Sequence, residues 1–263
     1  KAKKYNKKIV VMGSGAFGTA IADCLVRENS QNNKIVLYGI NTKEVSDINK
    51  NHKNSKYFSM KLSSKLVAST DPVESFKDAD IILMVIPSVV FKIALEETVV
   101  PNLSKPAYFV NLAKGLDYTN EIILSELINN SVPNKLNLGV LKLAGASFAS
   151  EIIEKTPTAF VLASDKKSLS EKISKELSNK IMKIKPTDGI EAVEWLSVIK
   201  NPLAILMGIV AGLGYKTNTK ALFFAKIIEE MKMALHILGL DEDKIFSSAG
   251  VGDMFLTGSS KKS

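Results

Sequence analysis

Short apolar runs alternate with amphipathic stretches over the first two thirds of the chain. Seven of the runs are rich in β-branched residues and apolar almost throughout, which is typical of strands covered by helices on both faces of a sheet. The strands predicted from them are residues 9–12, 35–38, 81–85, 108–111, 140–144, 159–163 and 182–184. Because helical patterns separate these strands, the sequence predicts an α/β fold with a doubly wound, parallel sheet.

The pattern changes after Gly189. Two long, mainly apolar stretches follow, residues 190–214 and 219–240, with no strand signal between them. The turn signal Pro-Thr-Asp-Gly at 186–189 marks the change. We therefore expect an α/β domain over residues 1–188 and an all-helical C-terminal domain over residues 189–263.

Composition fits a globular chain and argues against several classes of partner. The 263 residues are 46% hydrophobic and 24% charged, with a net charge of +8. The basic residues are nearly all lysine, with Arg27 the only arginine, and the basic runs lack interleaved aromatic residues, so we expect no nucleic-acid partner. The single cysteine, Cys24, excludes a disulfide framework and a cysteine metal site, and we expect no metal and a reducing cytoplasm.

Membrane insertion is not expected either. The longest apolar segments, for example residues 81–91, are judged to end before the roughly 20 residues that a membrane-spanning helix needs. We therefore predict a small-molecule ligand rather than a lipid bilayer as the partner.

A glycine motif follows the first predicted strand directly. Gly13, Gly15 and Gly18 form the pattern G-x-G-x-x-G, and a helical pattern begins within it. Such glycines permit a tight turn, a close approach of the backbone to a pyrophosphate, and close packing of helix on strand. The motif predicts a Rossmann-like dinucleotide-binding domain with NAD or NADP as cofactor.

The residues after the second predicted strand bear on the choice of cofactor. An acidic residue at this place usually holds the adenosine ribose of NAD. Here the sequence reads Gly39, Ile40, Asn41, Thr42, Lys43. Asn41, Thr42 and Lys43 are therefore expected either to receive a 2′-phosphate or to be ordinary loop residues.

Other candidate residues lie just after predicted strands, where ligands of open α/β sheets bind. They are Pro87, Ser88, Lys114, Gly115, Gly145, Ser147 and Ala149. A lysine at this edge holds a phosphate or carbonyl oxygen when it faces the ligand, and Lys114 is either such a residue or a surface lysine.

Lys200 lies in an apolar helical stretch. Its neighbours three and four positions away are Leu196, Ser197, Leu203 and Ala204, so no carboxylate is within local pairing reach. Such a lysine either extends to water or is desolvated, and desolvation lowers its pKa towards the range useful for proton transfer.

Seven segments occur in the order and spacing of the bacterial type of NAD(P)-dependent glycerol-3-phosphate dehydrogenase, which the chain resembles over nearly its whole length. They are GSGAFGTA, NKNHKNSKYF, ADIILMVIPS, AKGLD, AGASFASEI, IKNPLAILMGIVAGLGYKTNTKALFF and AGVGDMFLTGSSKKS. The resemblance implies reversible hydride transfer between a nicotinamide ring and C2 of dihydroxyacetone phosphate. The product, sn-glycerol 3-phosphate, serves phospholipid synthesis.

The resemblance also implies catalytic roles. Lys200 matches the lysine that exchanges a proton with the substrate oxygen. Lys114 matches a lysine that touches both substrate and cofactor and polarises the carbonyl. Asp253 and Thr257 match residues that orient the catalytic lysine and the substrate.

Further positions match binding residues of the family. Those on the substrate side are Lys114, Gly145, Ser147, Asn201, Asp253 and Ser263. Those on the cofactor side are Gly13, Gly15, Ala16, Phe17, Gly18, Ile40, Pro87, Lys114 and Ala149. The family often forms homodimers through its helical domain, so the apolar residues 204–214 and 221–228 are expected to form either core or dimer interface.

Some positions depart from the family pattern. Ala144 and Ala146 stand where serine and proline are usual, and Ile40 stands where many members have a basic residue, which leaves the choice between NAD and NADP open. Ser263 aligns with the serine of a family Ser-Arg-Asn segment, so we expect the helical domain to be incomplete here. Two alternatives remain, a related dehydrogenase of another hydroxy acid and a non-catalytic nucleotide-binding regulator.

Overall fold

Strands and helices alternate up to residue 187, and only helical elements follow in the part of the chain that the structure describes. A computed structural model of the protein describes residues 5–259. The strands are β1 (Lys8–Met12), β2 (Lys34–Tyr38), β3 (Val67–Ser69), β4 (Ile81–Met84), β5 (Ala107–Asn111), β6 (Leu116–Asp117), β7 (Ile122–Ile123), β8 (Asn137–Gly145), β9 (Thr158–Ala163) and β10 (Met182–Thr187). The α-helices are α1 (Ala16–Arg27), α2 (Thr42–Asn51), α3 (Pro72–Phe76), α4 (Phe91–Ile93), α5 (Leu124–Ser131), α6 (Ala149–Ile153), α7 (Lys167–Leu177), α8 (Ile190–Gly212), α9 (Thr217–Ile237) and α10 (Asp253–Ser259).

Eight of the strands form one sheet, in the order β10-β9-β8-β5-β4-β1-β2-β3. The predicted fold class, a Rossmann-like doubly wound sheet followed by a helical unit, is confirmed, and all seven predicted strands are present. The prediction of a wholly parallel sheet is wrong at one pairing, because β8 and β9 are antiparallel. The short helix α6 is the only α-helix between β8 and β9, whereas a parallel crossover usually contains a longer one.

The strands that the sequence did not predict are short. β3 has three residues at the edge of the sheet, and its Val67 is 53% exposed, so it lacks the apolar run of the central strands. β6 and β7 have two residues each and pair only with one another. Strands of two or three residues are too short to show a clear hydrophobic periodicity in the sequence.

The central strands are apolar because both faces of the sheet are covered. Along β1, Ile9 and Val11 belong to one buried cluster, and Val10 and Met12 belong to another. Successive side chains of a strand point to opposite faces, so the two clusters are the two layers between sheet and helices.

One register row crosses the sheet where the central strands end. Within it, Asn111 of β5 pairs with Lys142 of β8, Lys142 pairs with Ala163 of β9, and Ala163 pairs with Thr187 of β10. Since β10 ends in this row, α8 begins at the level at which β5 ends. β9 and β10 run opposite to the other strands of the sheet, and it is this register that places their ends, and hence the start of the long helix, at the carboxyl edge of the parallel strands.

α8 joins the sheet to the helical elements that follow. Its Ile190 and Val193 pack in a layer of the sheet core, whereas Ala192 and Leu196 belong to a third buried cluster shared with α9 and α10. The helix continues through Pro202. The division into domains at residue 188 stays a prediction.

The expectation that every apolar segment is too short for a bilayer is wrong for α8. This helix has 23 residues and is, by length and composition alone, apolar enough to cross a membrane. Core helices of globular proteins pass the same test. The buried side chains of α8 include Glu194 and Lys200, which have polar contacts inside the protein.

Candidate functional site

The candidate site lies at the edge of the sheet where the parallel strands end. The glycine loop, residues 13–18, follows β1, Lys114 follows β5, and residues 146–148 follow β8. The helix α8 brings Lys200 to the same edge. Open α/β sheets bind their ligands here because the backbone ends and loops leave a crevice.

The glycine loop has the shape that a pyrophosphate requires. Gly13 has a φ of +118°, and a Cβ there would lie 2.3 Å from the Val85 carbonyl oxygen. A Cβ on Gly18 would lie 1.9 Å from the Gly13 carbonyl oxygen, so α1 packs directly on the loop. A Cβ on Gly15, in contrast, would have no atom within 4 Å. No side chain caps the start of α1, so its first backbone N–H groups face this open space and suit an anion.

Two lysines share one carboxylate at the centre of the site. Nζ of Lys200 lies 3.0 Å from Oδ1 of Asp253, and Nζ of Lys114 lies 3.0 Å from Oδ2 of the same residue. The side chain of Lys200 is 3% exposed, and that of Lys114 is 37% exposed. The three groups carry a net positive charge, and only Lys114 is open to solvent. The cluster therefore suits an anionic ligand approaching from the Lys114 side.

Burial changes the protonation of Lys200. Desolvation, together with the neighbouring Lys114 cation, lowers the pKa of Lys200 to about 8, and the Asp253 carboxylate opposes both effects. Lys200 thus does not extend to water, and its amine and ammonium forms are both populated near neutral pH. A group with such a pKa is suited to exchanging a proton.

Thr257 fixes the position of the Lys200 ammonium. Nζ of Lys200 donates to Oγ1 of Thr257 at 2.7 Å, and Oγ1 donates to the backbone carbonyl of Asp253 at 2.7 Å. Asp253 and Thr257 lie in α10, which follows a π-helical turn at Ser248–Gly252. Such turns often accompany functional sites because they redirect a side chain within a helix. Of the four residues predicted as catalytic, Lys114, Lys200 and Thr257 therefore each contact the fourth, Asp253.

The sequence did not reveal the residues that hold the segment before Lys114. The backbone carbonyl of Ala113 accepts a hydrogen bond from the Lys142 ammonium. The backbone N–H of Ala113 donates to Oδ1 of Asn111 at 2.8 Å. Both polar groups of residue 113 are thus held by side chains from the sheet, which fixes the backbone that carries Lys114.

Glu194 of α8 completes this network. Its carboxylate accepts from Nδ2 of Asn111 at 2.6 Å and from the backbone N–H groups of Leu124 and Ser125 at 3.1 and 3.2 Å. These two N–H groups open α5, where a negative charge is favourable. Burial lowers the pKa of Lys142 to about 8, and the Glu194 carboxylate opposes the shift. One sequence feature could have identified Lys142 as part of this network, namely its position as a lysine inside the apolar strand sequence VLKLA.

The predicted substrate-side positions differ in what they contact. A Cβ on Gly145 would lie 2.4 Å from the Ala159 carbonyl oxygen. The close packing of β9 is therefore sufficient to explain a glycine at this position. Oγ of Ser147 donates to the Gly145 carbonyl at 3.3 Å. Asn201 is exposed and lines a groove beside Thr257. Ser263 lies outside the described residues.

The predicted cofactor-side positions surround the glycine loop. Ala16 and Phe17 begin α1, and Ala149 begins α6; all three pack partly buried against the core. Pro87 follows β4 at the start of a 3₁₀ turn. Ile40 is 86% exposed beyond β2. Among residues 5–259, no group of histidine, cysteine, aspartate and glutamate side chains is arranged to hold a metal ion.

An apolar groove of about 970 Å³ lies next to the lysine cluster, between α8, α9 and α10. Its lining includes Ile205, Ile209 and Phe255, which are 66%, 54% and 62% exposed. Thr257, which contacts Lys200, also lines the groove.

Both halves of the chain match models of one protein family. The model for the NAD-dependent glycerol-3-phosphate dehydrogenase N-terminus matches residues 8–170, and the model for the C-terminus of the same family matches residues 189–263.

Individual relatives agree with the family models. Glycerol-3-phosphate dehydrogenase [NAD(P)+] from several strains of Staphylococcus aureus is 32% identical over 251 residues, which are 95% of this chain and 74% of the relative. The crystal structure of glycerol-3-phosphate dehydrogenase from Coxiella burnetii has a TM-score of 0.88 at 25% identity, covering 98% of this chain and 78% of that one. The Plasmodium falciparum enzyme of the same name has a TM-score of 0.87 at 20% identity, covering 98% and 74%, and shares the fold.

Proposed function

This chain belongs to the NAD-dependent glycerol-3-phosphate dehydrogenase family, and we propose that the cluster of Lys114, Lys200 and Asp253 is its catalytic site. The reaction interconverts dihydroxyacetone phosphate and sn-glycerol 3-phosphate with NAD(H) or NADP(H), and it supplies glycerol 3-phosphate for phospholipid synthesis. The observation that carries the assignment of the site is the buried contact of 3.0 Å between Lys200 and Asp253, at the same sheet edge as the glycine loop.

The glycine loop holds the cofactor in this proposal. Gly13, Gly15 and Gly18 shape the space for the pyrophosphate, and the start of α1, with Ala16 and Phe17, supplies backbone N–H groups. The open space above Gly15 supports this assignment. Ile40, Pro87 and Ala149 border the remaining length of the bound cofactor. When bound, the nicotinamide ring supplies the hydride to C2 of the substrate or accepts it in the reverse direction.

Lys200 moves the proton. In the reducing direction its ammonium gives a proton to the C2 oxygen as that oxygen gains negative charge, and in the oxidising direction its neutral amine takes the proton from the C2 hydroxyl. The pKa of about 8 supports both roles. Asp253 and Thr257 hold Nζ in one direction, so that little reorganisation is needed during the transfer.

Lys114 polarises the substrate carbonyl. Its ammonium is partly exposed, and its Asp253 partner is buried, so the cation faces the crevice while remaining fixed. A cation aimed at an oxygen that gains charge stabilises the transition state more than the ground state. Gly145, Ser147, Asn201 and Ser263 complete the substrate side of the site in this proposal.

We also propose a cytoplasmic protein that binds no nucleic acid, does not insert into a membrane and forms a homodimer. The nearly exclusive use of lysine, with Arg27 as the only arginine, supports the absence of a nucleic-acid partner. The interior polar contacts of Glu194 and Lys200 support a core position for the first half of α8, up to Lys200. The exposed apolar side chains along the groove support a dimer interface there.

The proposal is tested by following reduced-nicotinamide absorbance when dihydroxyacetone phosphate is added to the purified protein. The absorbance should fall when the wild-type protein is used. With Lys114→Met the rate of this fall should be at least about a hundredfold lower. Lys105→Met is the matched control. Lys105 precedes β5, whereas Lys114 follows it, and Lys105 is similarly exposed, at 39%, and also pairs with an aspartate, Asp80. Bound cofactor without turnover in wild type would instead indicate a nucleotide-binding regulator, and turnover only with another hydroxy acid would indicate a related dehydrogenase.

A further inference from the structure

A carboxylate that the sequence pattern did not indicate lies against the glycine loop. Glu44 is in the first turn of α2, and its Oε2 accepts a hydrogen bond from Oγ of Ser14 at 2.9 Å. Oε1 lies 3.0 Å from Nζ of Lys56. The Glu44 side chain is only 10% exposed, so these partners hold the carboxylate in place beside the loop.

The path of the chain after β2 explains how Glu44 reaches this place. A Cβ on Gly39 would lie 2.3 Å from Oγ of Ser14, so the end of β2 is in close contact with the glycine loop. Oδ1 of Asn41 then accepts from the backbone N–H groups of Lys43 and Glu44 at 3.0 and 3.3 Å, which starts the helix. The acidic residue is absent directly after β2 and is supplied by the first helical turn instead.

The carboxylate contacts the glycine loop through Ser14 and lies in the first helical turn after the second strand, and this fold places the adenosine ribose of a dinucleotide near the end of that strand. We infer that Glu44 holds the ribose 2′-hydroxyl, so that the protein uses NAD(H) in preference to its 2′-phosphorylated form. The inference rests on the proposed function, because it requires the cofactor to lie on the glycine loop. It concerns which of the two cofactors binds there.

Hydrogen bonding and charge both favour the hydroxyl. A carboxylate has about four acceptor positions, and its contacts with Ser14, Lys56 and Asn41 leave capacity for one more donor. A 2′-phosphate has no proton to donate at neutral pH and would place two negative charges against a third.

The nearby basic and polar residues do not offset this repulsion. Lys56 is already paired with Glu44 and lies 5.0 Å from the centre of the Tyr57 ring. Asn41 is engaged in starting α2. Of the residues expected from sequence to receive a 2′-phosphate, Thr42 and Lys43 remain exposed, and neither displaces the carboxylate from Ser14.

Calorimetric titration of the whole chain with ADP and with 2′-phospho-ADP tests the inference without turnover. Wild type should bind ADP at least about tenfold more tightly. Glu44→Gln should weaken ADP binding about tenfold and strengthen 2′-phospho-ADP binding, which removes most of the discrimination. Thermal unfolding of each variant checks that the fold is kept.

Glu74→Gln is the matched control. Like Glu44, Glu74 lies three residues after a side chain that caps a helix, here Asp71 at the start of α3. The Glu74→Gln substitution should leave the affinities for ADP and for 2′-phospho-ADP unchanged. Tighter binding of 2′-phospho-ADP by wild type, or an equal loss for both nucleotides in Glu44→Gln, would overturn the inference and leave the proposed function intact. Failure of NADH, ADP and 2′-phospho-ADP to bind at all would overturn the proposed function and the inference together.

Discussion

Nζ of Lys200 lies 3.0 Å from Oδ1 of Asp253, and the two side chains are 3% and 2% exposed. An ion pair buried this deeply adds little to stability, because the loss of hydration of both charges opposes their attraction. The second cation on the same carboxylate, Lys114, adds like-charge repulsion next to Lys200. The arrangement is therefore better explained by proton transfer than by stabilisation of the fold.

Lys200→Met should remove turnover and keep cofactor binding. Methionine replaces most of the buried volume, and Asp253 retains Lys114 as a partner. We expect kcat to fall by about 10³-fold, the usual contribution of a positioned acid or base, while NADH fluorescence titration gives an unchanged Kd. Lys226→Met is the control, since Lys226 is 63% exposed in a surface pair with Glu229. A folded Lys200→Met variant with the kcat of wild type would contradict the role.

The two directions of the reaction should have opposite pH dependence. The pKa of Lys200 is about 8, so the ammonium that reduction requires is lost as pH rises through this value. The amine that oxidation requires is gained over the same range. At pH 9 the reducing kcat/KM should be about a tenth of its plateau value, and the oxidising kcat/KM should be near its maximum. Profiles measured in both directions from pH 6 to 10 that rise or fall together would refute the assignment.

Asp253→Asn should move these profiles. The Asp253 carboxylate raises the pKa of Lys200 against the effect of burial, and an amide carries no charge. The pKa of Lys200 should therefore fall in the variant, and the alkaline limb of the reducing profile should shift to lower pH. If the limb stays in place while kcat falls, Lys200 is not the titrating group.

Lys142 should act by positioning the segment before Lys114. In Lys142→Met the Ala113 carbonyl loses its buried donor, so Lys114 is held less firmly, and kcat/KM should fall about tenfold. An effect on stability without any change in kcat/KM would indicate a purely structural residue.

The same variant gives a stability test with a defined sign. The folded-state pKa of Lys142, about 8, is below the ordinary value of 10.5, so folding is penalised fully below pH 8. The penalty disappears as pH rises from 8 towards 10.5. The Tm of Lys142→Met relative to wild type should therefore be higher at pH 7 than at pH 10. A Tm difference that does not change with pH would contradict the shifted pKa.

Features that depend on local sequence could be predicted, and features that depend on strand register could not. The apolar run of β1 and the glycines at 13, 15 and 18 identify a strand and its loop without further information. Lys200 was a candidate because it is a charge in apolar surroundings. Its partner Asp253 came from the resemblance, since no local rule joins residues so distant in sequence. The contact of Lys142 with Ala113 requires β5 and β8 to be neighbours in one register, and the sequence contains no direct sign of that pairing.

Two alanine substitutions in the glycine loop should separate cofactor binding from folding. A methyl group on Gly15 meets no atom within 4 Å, and the backbone there, with φ of −64° and ψ of −179°, accepts alanine. Gly15→Ala should therefore keep the Tm of wild type, and the methyl group should weaken NADH binding by at least about tenfold, since it occupies the space of the pyrophosphate. A methyl group on Gly18 would lie 1.9 Å from the Gly13 carbonyl oxygen, so Gly18→Ala should lower the free energy of unfolding by about 2 kcal/mol or more. Calorimetric titration and thermal unfolding of both variants check the pair. Tight NADH binding by Gly15→Ala would mean that the cofactor does not lie on this loop.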